Sequence, residues 1–348
     1  MKLKDSPIVI KIADDLGLKR HHNAERAIRN YCLRKVKSIT TAFGEIKDLN
    51  QLLNVVSSHL QMKFEEVRDD EDLSRIAHKY TEKGELIFSN LHRELDNETD
   101  GILVRLNHAK PWEPKYVAVI NCRGNKVWRA YFSKWHEVGH LLTTPPTQMT
   151  FQFRRTPVFK KALEEQIVDR VAGDLAFYEK IFSPALEREI AQDNRLSFSA
   201  VESLRMTVCD GASREATLRG AIRQAPAPQL LVIAGLGYKK SEERLVNSRQ
   251  MGLFADKNLN IEPKLRALEV IPSQKAADTG LRIHKNMRIP EESIIFKVYE
   301  DLTNIGETQS ECENLSLWEH SKGRLNDAKV IVEAKKSGDK VFALVCKV

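Results

Sequence analysis

The stretch HEVGH, which spans His136 to His140, carries three side chains that could do chemistry together. Side chains four residues apart on an α-helix lie on one face, one turn apart, so both imidazoles could bind a single Zn2+ ion at about 2.0 Å. The carboxylate of Glu137 points to the neighbouring side, where it could take a proton from a water that the metal makes more acidic. The pattern predicts a metal-dependent hydrolase. The alternative is an ordinary helix with two histidines, since only three residue types are specified.

A third zinc ligand is expected on a later helix, where Glu165 and Asp169 stand one turn apart. Glu165 could reach the metal while Asp169 accepts a hydrogen bond from a ligand imidazole and fixes its tautomer. Glu164 is the competing ligand, but it lies about 100° round the helix and has no acidic residue at the next turn. A solvated acidic helix face is the other interpretation of this segment.

Hydrophobic spacing predicts the elements that would position this site. Two helices are expected between residues 23 and 59, where apolar residues recur with helical periodicity. The runs GELIFSNLHREL, GILVRLNHA and KYVAVIN then predict a small antiparallel sheet. The HEVGH helix should span about 127–143 and end before Pro145. Gly139 in this helix would allow another backbone to approach closely.

Downstream, one helix is expected from about 158 to 182, ending before Pro184, followed by two helices around Gly211. Ser199 and Glu202 fit a capping box for the first of these two, and Ser213 is the expected N-cap of the second.

The composition is that of a folded chain, and a linker-like segment divides it into two expected domains. The segment QAPAPQ is typical of a linker, so we expect one domain at 1–226 and another at 227–348. The second contains LLVIAGLGY, SIIFKVYEDL and a hairpin with its turn at 337–339, which predicts a mixed α/β domain built around a sheet.

The bulk chemistry of the chain points to the cytoplasm. No run of about 18 apolar residues predicts a membrane span. The five cysteines are scattered without a CxxC pair, as in a reducing compartment. The net charge of +7 is compatible with a nucleic-acid partner.

Three consecutive segments together resemble the ImmA/IrrE family of bacterial and phage metallopeptidases. They are YFSKWHEVGHLLTT, ALEEQIVDRVAGDLAFYEKIFSP and LSFSAVESLRMTVCDGASREATLRGAI, and the similarity covers roughly residues 50–223. The resemblance implies a zincin-like domain with helical flanks, in which His136, His140 and Glu165 bind zinc and Glu137 is the general base. The family's helix after the motif tends to read EAxxFAxxLLMP, whereas Ile167 and Val168 stand here where Glu-Ala is common.

The resemblance also implies a substrate and a regulator. Members of this family cut helix-turn-helix transcriptional repressors and thereby switch on stress, mobile-element or phage-defence genes. The second domain loosely resembles the GAF-like sensor domain of such members, so single-stranded DNA or a small ligand is the expected activator. Basic residues suited to a nucleic acid there are Lys239, Lys240, Arg244, Lys335 and Lys336.

Two weaker hypotheses concern single segments. Cys122 precedes the metal helix, and its thiolate could hold the protease latent by occupying zinc, although a small buried residue at a strand end is the simpler interpretation. The helix pair around Gly211 resembles a helix-turn-helix, with Arg214, Arg219 and Arg223 available for phosphates.

The competing function is a non-proteolytic regulator that binds DNA or a ligand and has a structural or degenerate zinc site. Glu137 argues against it, because a purely structural site needs no base between its ligands.

Overall fold

The structure is a computed structural model, and it describes residues 6–18, 22–144, 162–239, 241–243, 261–301, 303, 306–319 and 323–348, with the backbone of 152–155 and 320. The chain forms two compact units, Met1–Pro184 with Arg205–Thr217, and Ala185–Leu204 with Leu218–Val348. The predicted boundary at 226/227 follows helix α10 (Arg214–Gln224) and precedes strand β5 (Gln229–Gly237).

The first unit begins with three helices whose apolar stripes are buried. They are α1 (Pro7–Asp15), α2 (Ala24–Phe43) and α3 (Leu49–His59). The two helices predicted between residues 23 and 59 are thereby confirmed. Asn23 and Asp48 cap α2 and α3, since their side chains accept hydrogen bonds from backbone N–H groups in the first turn of each helix.

A four-stranded sheet follows, in the order β1-β3-β2-β4. Its strands are β1 (Met62–Val67), β2 (Gly101–Arg105), β3 (Tyr116–Asn121) and β4 (Gln152–Arg155). The runs at β2 and β3 were predicted as strands and pair antiparallel. The sheet as a whole is mixed rather than antiparallel, because β1 pairs parallel with β3. Two parallel strands must be joined by a crossover connection, and the chain between β1 and β3 begins with helix α4 (Asp70–Thr81).

The prediction of a strand at GELIFSNLHREL was wrong. This segment forms a 3-10 helix (Leu86–Asn90) and the short helix α5 (Leu91–Glu94). Phe88, Leu91 and Leu95 are buried in one core cluster with residues of α4. Their spacing of three and four residues puts them on one helical face, and this face packs against α4.

Helix α6 (Ala130–Thr143), which contains HEVGH, follows a 3-10 helix (Gly124–Arg129), and α7 (Leu163–Ala176) carries Glu165 and Asp169. The expected helix to residue 182 ends earlier, at Ala176, and α8 (Glu179–Ile190) continues through Pro184. One proline inside a helix removes one backbone hydrogen bond without excluding the helix.

Helix α9 (Phe198–Val208) and α10 confirm the two helices around Gly211. The cap of α9 is Ser197 rather than Ser199, because its Oγ accepts from the N–H of Ala200 at 3.2 Å. Ser213 caps α10 as predicted, since its Oγ accepts from the N–H of Ala216 at 3.1 Å.

The second unit is built on an antiparallel five-stranded sheet in the order β6-β5-β11-β10-β7. Besides β5, its strands are β6 (Lys264–Pro272), β7 (Thr308–Asn314), β10 (Lys329–Ser337) and β11 (Lys340–Lys347). The pairing of β10 with β11 confirms the predicted hairpin, with Gly338 at a φ of 61° in its turn. Helix α11 (Gln274–Asp278), helix α12 (Ile294–Glu300) and the ribbon of β8 (Glu319–His320) and β9 (Gly323–Arg324) complete the unit. Both units combine helices with a sheet, so the chain is of the α+β class.

No helix among the described residues is both long and apolar enough to cross a membrane.

Candidate metal centre

Helix α6 is buried around most of its circumference, which is unusual for a helix that carries ionisable groups. Trp135 and Val138 are fully buried, and so is His136, while Glu137 is 1% exposed and His140 5% exposed. Burying polar side chains is unfavourable unless they are paired. The folding of this unit therefore places the histidines where specific partners are required.

The partners come from α7, which approaches α6 closely at Gly139. A Cβ atom at Gly139 would lie 3.0 Å from Cγ1 of Val168 and 3.3 Å from its backbone oxygen. Those distances are shorter than ordinary carbon contacts. The expectation that Gly139 permits close backbone approach is thus met, and it brings Glu165 and Asp169 on α7 opposite the histidines.

Three side chains converge on one point between the two helices. Nε2 of His136 lies 3.1 Å from Nε2 of His140 and 3.1 Å from Oε2 of Glu165. Nε2 of His140 lies 3.4 Å from Oε1 of Glu165. These three residues form the candidate metal-binding group among the described residues, with all ligand atoms within 4.8 Å of one another.

Asp169 fixes the chemistry of the first imidazole. Its Oδ1 lies 2.9 Å from Nδ1 of His136, so the neutral ring donates from Nδ1 and presents the lone pair of Nε2 to Glu165. Two acceptors 3.1 Å apart require a cation between them, either a proton or a metal ion. Two imidazole nitrogens with one carboxylate oxygen are a ligand set of catalytic zinc, which keeps a further position open. The donor set therefore fits Zn2+.

The electrostatics favour the ionised form of Glu165. Burial raises the pKa of its carboxyl. When both imidazoles are protonated, the hydrogen bond then donated by Nε2 of His136 and the two positive charges outweigh burial and bring this pKa below its ordinary value. A carboxylate, rather than a carboxylic acid, is the species that ligates a metal.

Glu137 lies against the first residue of β2. A Cβ atom at Gly101 would come within 3.1 Å of Oε1 of Glu137, so the absence of a side chain leaves space for this carboxylate. The neighbouring Asp100 accepts from Nζ of Lys126 at 3.0 Å, which ties the strand to the turn before α6. Gly101 is not among the site residues predicted from the sequence. A glycine at the start of an apolar strand was its only signal.

The other predicted site residues lie outside this group. Glu164 is exposed and Cys122 is buried at the end of β3, where its N–H donates to the backbone oxygen of Val67 at 2.8 Å. Burial, together with the nearby carboxylate of Glu66, raises the pKa of the Cys122 thiol to about 11. Its thiolate, the form that binds zinc, is disfavoured in this position.

Several basic residues proposed for nucleic-acid contact have protein partners instead. Both terminal nitrogens of Arg219 bind Glu269, at 2.6 and 2.7 Å. Lys336 is buried, and its amine donates to the backbone oxygens of Tyr299 and Asp301. Lys240 and Arg244 lie outside the described residues.

Comparisons with known proteins assign the chain to no family. No family model and no curated protein matches the chain. One similar solved structure is a Mycobacterium tuberculosis transcriptional regulator, with 10% sequence identity and a TM-score of 0.43 over 100% of this chain and 82% of that one. Similarity at this level supports no argument about fold or activity.

Proposed function

We propose that the protein is a zinc-dependent endopeptidase. The observation that carries the proposal is the convergence of His136, His140 and Glu165 on one point, with Asp169 behind the first imidazole. In this proposal residues 1–226 form a zincin-like domain and residues 227–348 a GAF-like sensor.

Each residue of the proposed site has its own role. His136, His140 and Glu165 would hold Zn2+, which supplies Lewis acidity when bound. Asp169 keeps Nδ1 of His136 protonated and its Nε2 directed at the site. Glu137, between the two histidines in sequence, takes the proton from the attacking water and gives it to the nitrogen of the leaving amine.

The buried position of Glu137 supports its assignment as the base. Its side chain is 1% exposed and lies against Gly101, so bulk water has little access to the carboxylate. A proton held there passes between the carboxylate and a reactant rather than to solvent.

The substrate we propose is a helix-turn-helix transcriptional repressor, whose cleavage derepresses stress or phage-defence genes. This part rests on the sequence resemblance to the ImmA/IrrE family. Single-stranded DNA or a small ligand acting on the second unit is the activator proposed on the same basis.

The second candidate function is a non-proteolytic DNA- or ligand-binding regulator with a structural or degenerate zinc site. Glu137 favours the peptidase, because a structural site needs its ligands and the partner of His136 but no carboxylate between the two histidines.

The deciding experiment combines metal analysis with cleavage. We would measure the zinc content of wild type, Glu137→Gln and Glu165→Gln, with Glu164→Gln as the matched control on the same helix. Each would be incubated with a proteome-derived peptide library and with a repressor encoded beside the gene, and products read by mass spectrometry.

We expect about one zinc per chain in wild type, Glu137→Gln and Glu164→Gln, and much less in Glu165→Gln. Glu137→Gln should cut cleavage by at least about 100-fold, while Glu164→Gln should cleave like wild type. Zinc retention with no cleavage of either substrate by wild type, together with DNA or ligand binding, would favour the regulator.

A further inference from the structure

A cavity of about 380 Å³ lies in the second unit, where β11 ends. The loop after α11, the segment between β9 and β10, and Lys347 form its wall. Its volume falls within the range of about 300–1,000 Å³ that is typical of small-molecule sites.

The wall is held in place by the fold. The N–H of Leu315 donates to the backbone oxygen of Ala328 at 2.9 Å, and Nζ of Lys347 lies 3.4 Å from the backbone oxygen of Thr279. Leu281 and Leu315 are 2% and 3% exposed and belong to the core of the unit. The cavity is therefore preformed, with an apolar floor.

The charges on the wall are mainly positive. The wall carries three basic residues, Arg282, Arg324 and Lys347, and one acidic residue, Asp327. The Oδ1 of Asp327 accepts a hydrogen bond from the side-chain amide of Asn314. Arg324 forms an exposed ion pair with a glutamate outside the wall. Arg282 is exposed and forms no ion pair with any residue that the structure describes. The wall thus carries two more positive than negative charges, and a concave surface with an excess of positive charge concentrates anions.

We propose that this cavity binds a phosphomonoester that carries an aromatic or aliphatic body. A phosphomonoester has a charge of about −1.5 to −2 at neutral pH, which complements the excess on the wall. Arg282 and Lys347 would contact the phosphate, since guanidinium and ammonium groups are the usual partners of phosphate oxygens. Leu281 and Leu315 would pack against the organic part. This inference does not depend on the peptidase proposal.

The test measures binding affinities by isothermal titration calorimetry of the full chain at low salt. The ligands are adenosine monophosphate, adenosine and inorganic phosphate. The variants are Arg282→Glu and Lys347→Gln. The matched control is Lys285→Glu, which reverses an exposed charge nearby on the same loop but outside the wall. Thermal unfolding would establish that each variant folds, and Arg282→Gln would replace Arg282→Glu if the latter does not.

Adenosine monophosphate should bind, with adenosine and inorganic phosphate each at least about ten-fold weaker. Arg282→Glu should weaken its binding by about ten-fold or more, because a charge-assisted hydrogen bond is lost and a like charge added. Lys347→Gln should weaken it in the same direction, and Lys285→Glu should change it less than two-fold. No binding at millimolar concentration, equal binding of adenosine, or an equal loss in Lys285→Glu would each overturn the proposal.

Discussion

Gly139→Ala should weaken zinc binding more than it weakens the fold. The new methyl group would lie 3.0 Å from Cγ1 of Val168 and 3.3 Å from its backbone oxygen, about 0.5 Å inside an ordinary contact. Alanine gains about 1 kcal/mol of helix propensity over glycine. Overpacking a core costs about 1–3 kcal/mol. The net loss of unfolding free energy is therefore about 0–2 kcal/mol.

The expected effect on zinc affinity is larger, because α7 carries both Glu165 and Asp169. Val168 lies between Glu165 and Asp169 in the sequence, so moving α7 away by a few tenths of an ångström displaces both carboxylates from the histidines of α6. Disturbing the residues behind a metal ligand typically costs about 10–100-fold in affinity. We expect a loss of at least about ten-fold, measured by chelator competition, with unfolding free energies from urea titration of the metal-free proteins.

Val168→Ala supplies the control for this prediction. The double variant Gly139→Ala/Val168→Ala removes the 3.0 Å contact but keeps the 3.3 Å contact with the backbone oxygen. It should recover part of the lost affinity, and the double-mutant cycle should give a favourable coupling energy. If Gly139→Ala instead stabilised the protein by about 1 kcal/mol and bound zinc like wild type, the close approach of the two helices would be refuted.

Three further predictions concern single side chains. Asp169→Asn should lower zinc affinity by about 10–100-fold in chelator competition, because His136 loses its carboxylate partner, and equal affinity would remove Asp169 from the site. Burial raises the pKa of Glu313 above its unfolded value, so the folded state holds this proton more tightly and the unfolding free energy falls as pH rises from the ordinary pKa through the raised one. Glu313→Gln should flatten that slope in urea titrations across pH, and an unchanged slope would contradict the assignment. Lys336→Met should cost about 1–3 kcal/mol of unfolding free energy, since its buried amine donates to carbonyl oxygens at the end of α12, and a variant as stable as wild type would show that these bonds contribute nothing.

The site could be predicted from sequence because most of it is local. The spacing of His136 and His140 is fixed by the helix, and so is that of Glu165 and Asp169. Pairing the two helices needed only the expectation that the second returns against the first, and Gly139 indicated where they would meet. The structure brings these four side chains together as that spacing implies.

What sequence could not supply depends on contacts between distant segments. The parallel pairing of β1 with β3 leaves no mark in either strand, because register and direction are set by the whole sheet. The segment 84–95 alternates poorly and was assigned by its apolar content, whereas packing against α4 selected a helix. The position of Gly101 against Glu137 is likewise a tertiary contact.

The contacts that hold helix α6 in place lead to different expectations for a structural and a catalytic zinc site. In a structural zinc site the metal supplies much of the folding free energy, since the surrounding chain cannot fold without it. Here Trp135, Val138 and Leu142 bury their side chains, and the hydroxyl of Tyr131 donates to the backbone oxygen of Ala176 at 2.7 Å. These contacts attach α6 to α7 through side chains other than the proposed ligands. The peptidase proposal therefore predicts that the metal-free protein folds, with the metal adding chemistry to a helix pair that packing positions.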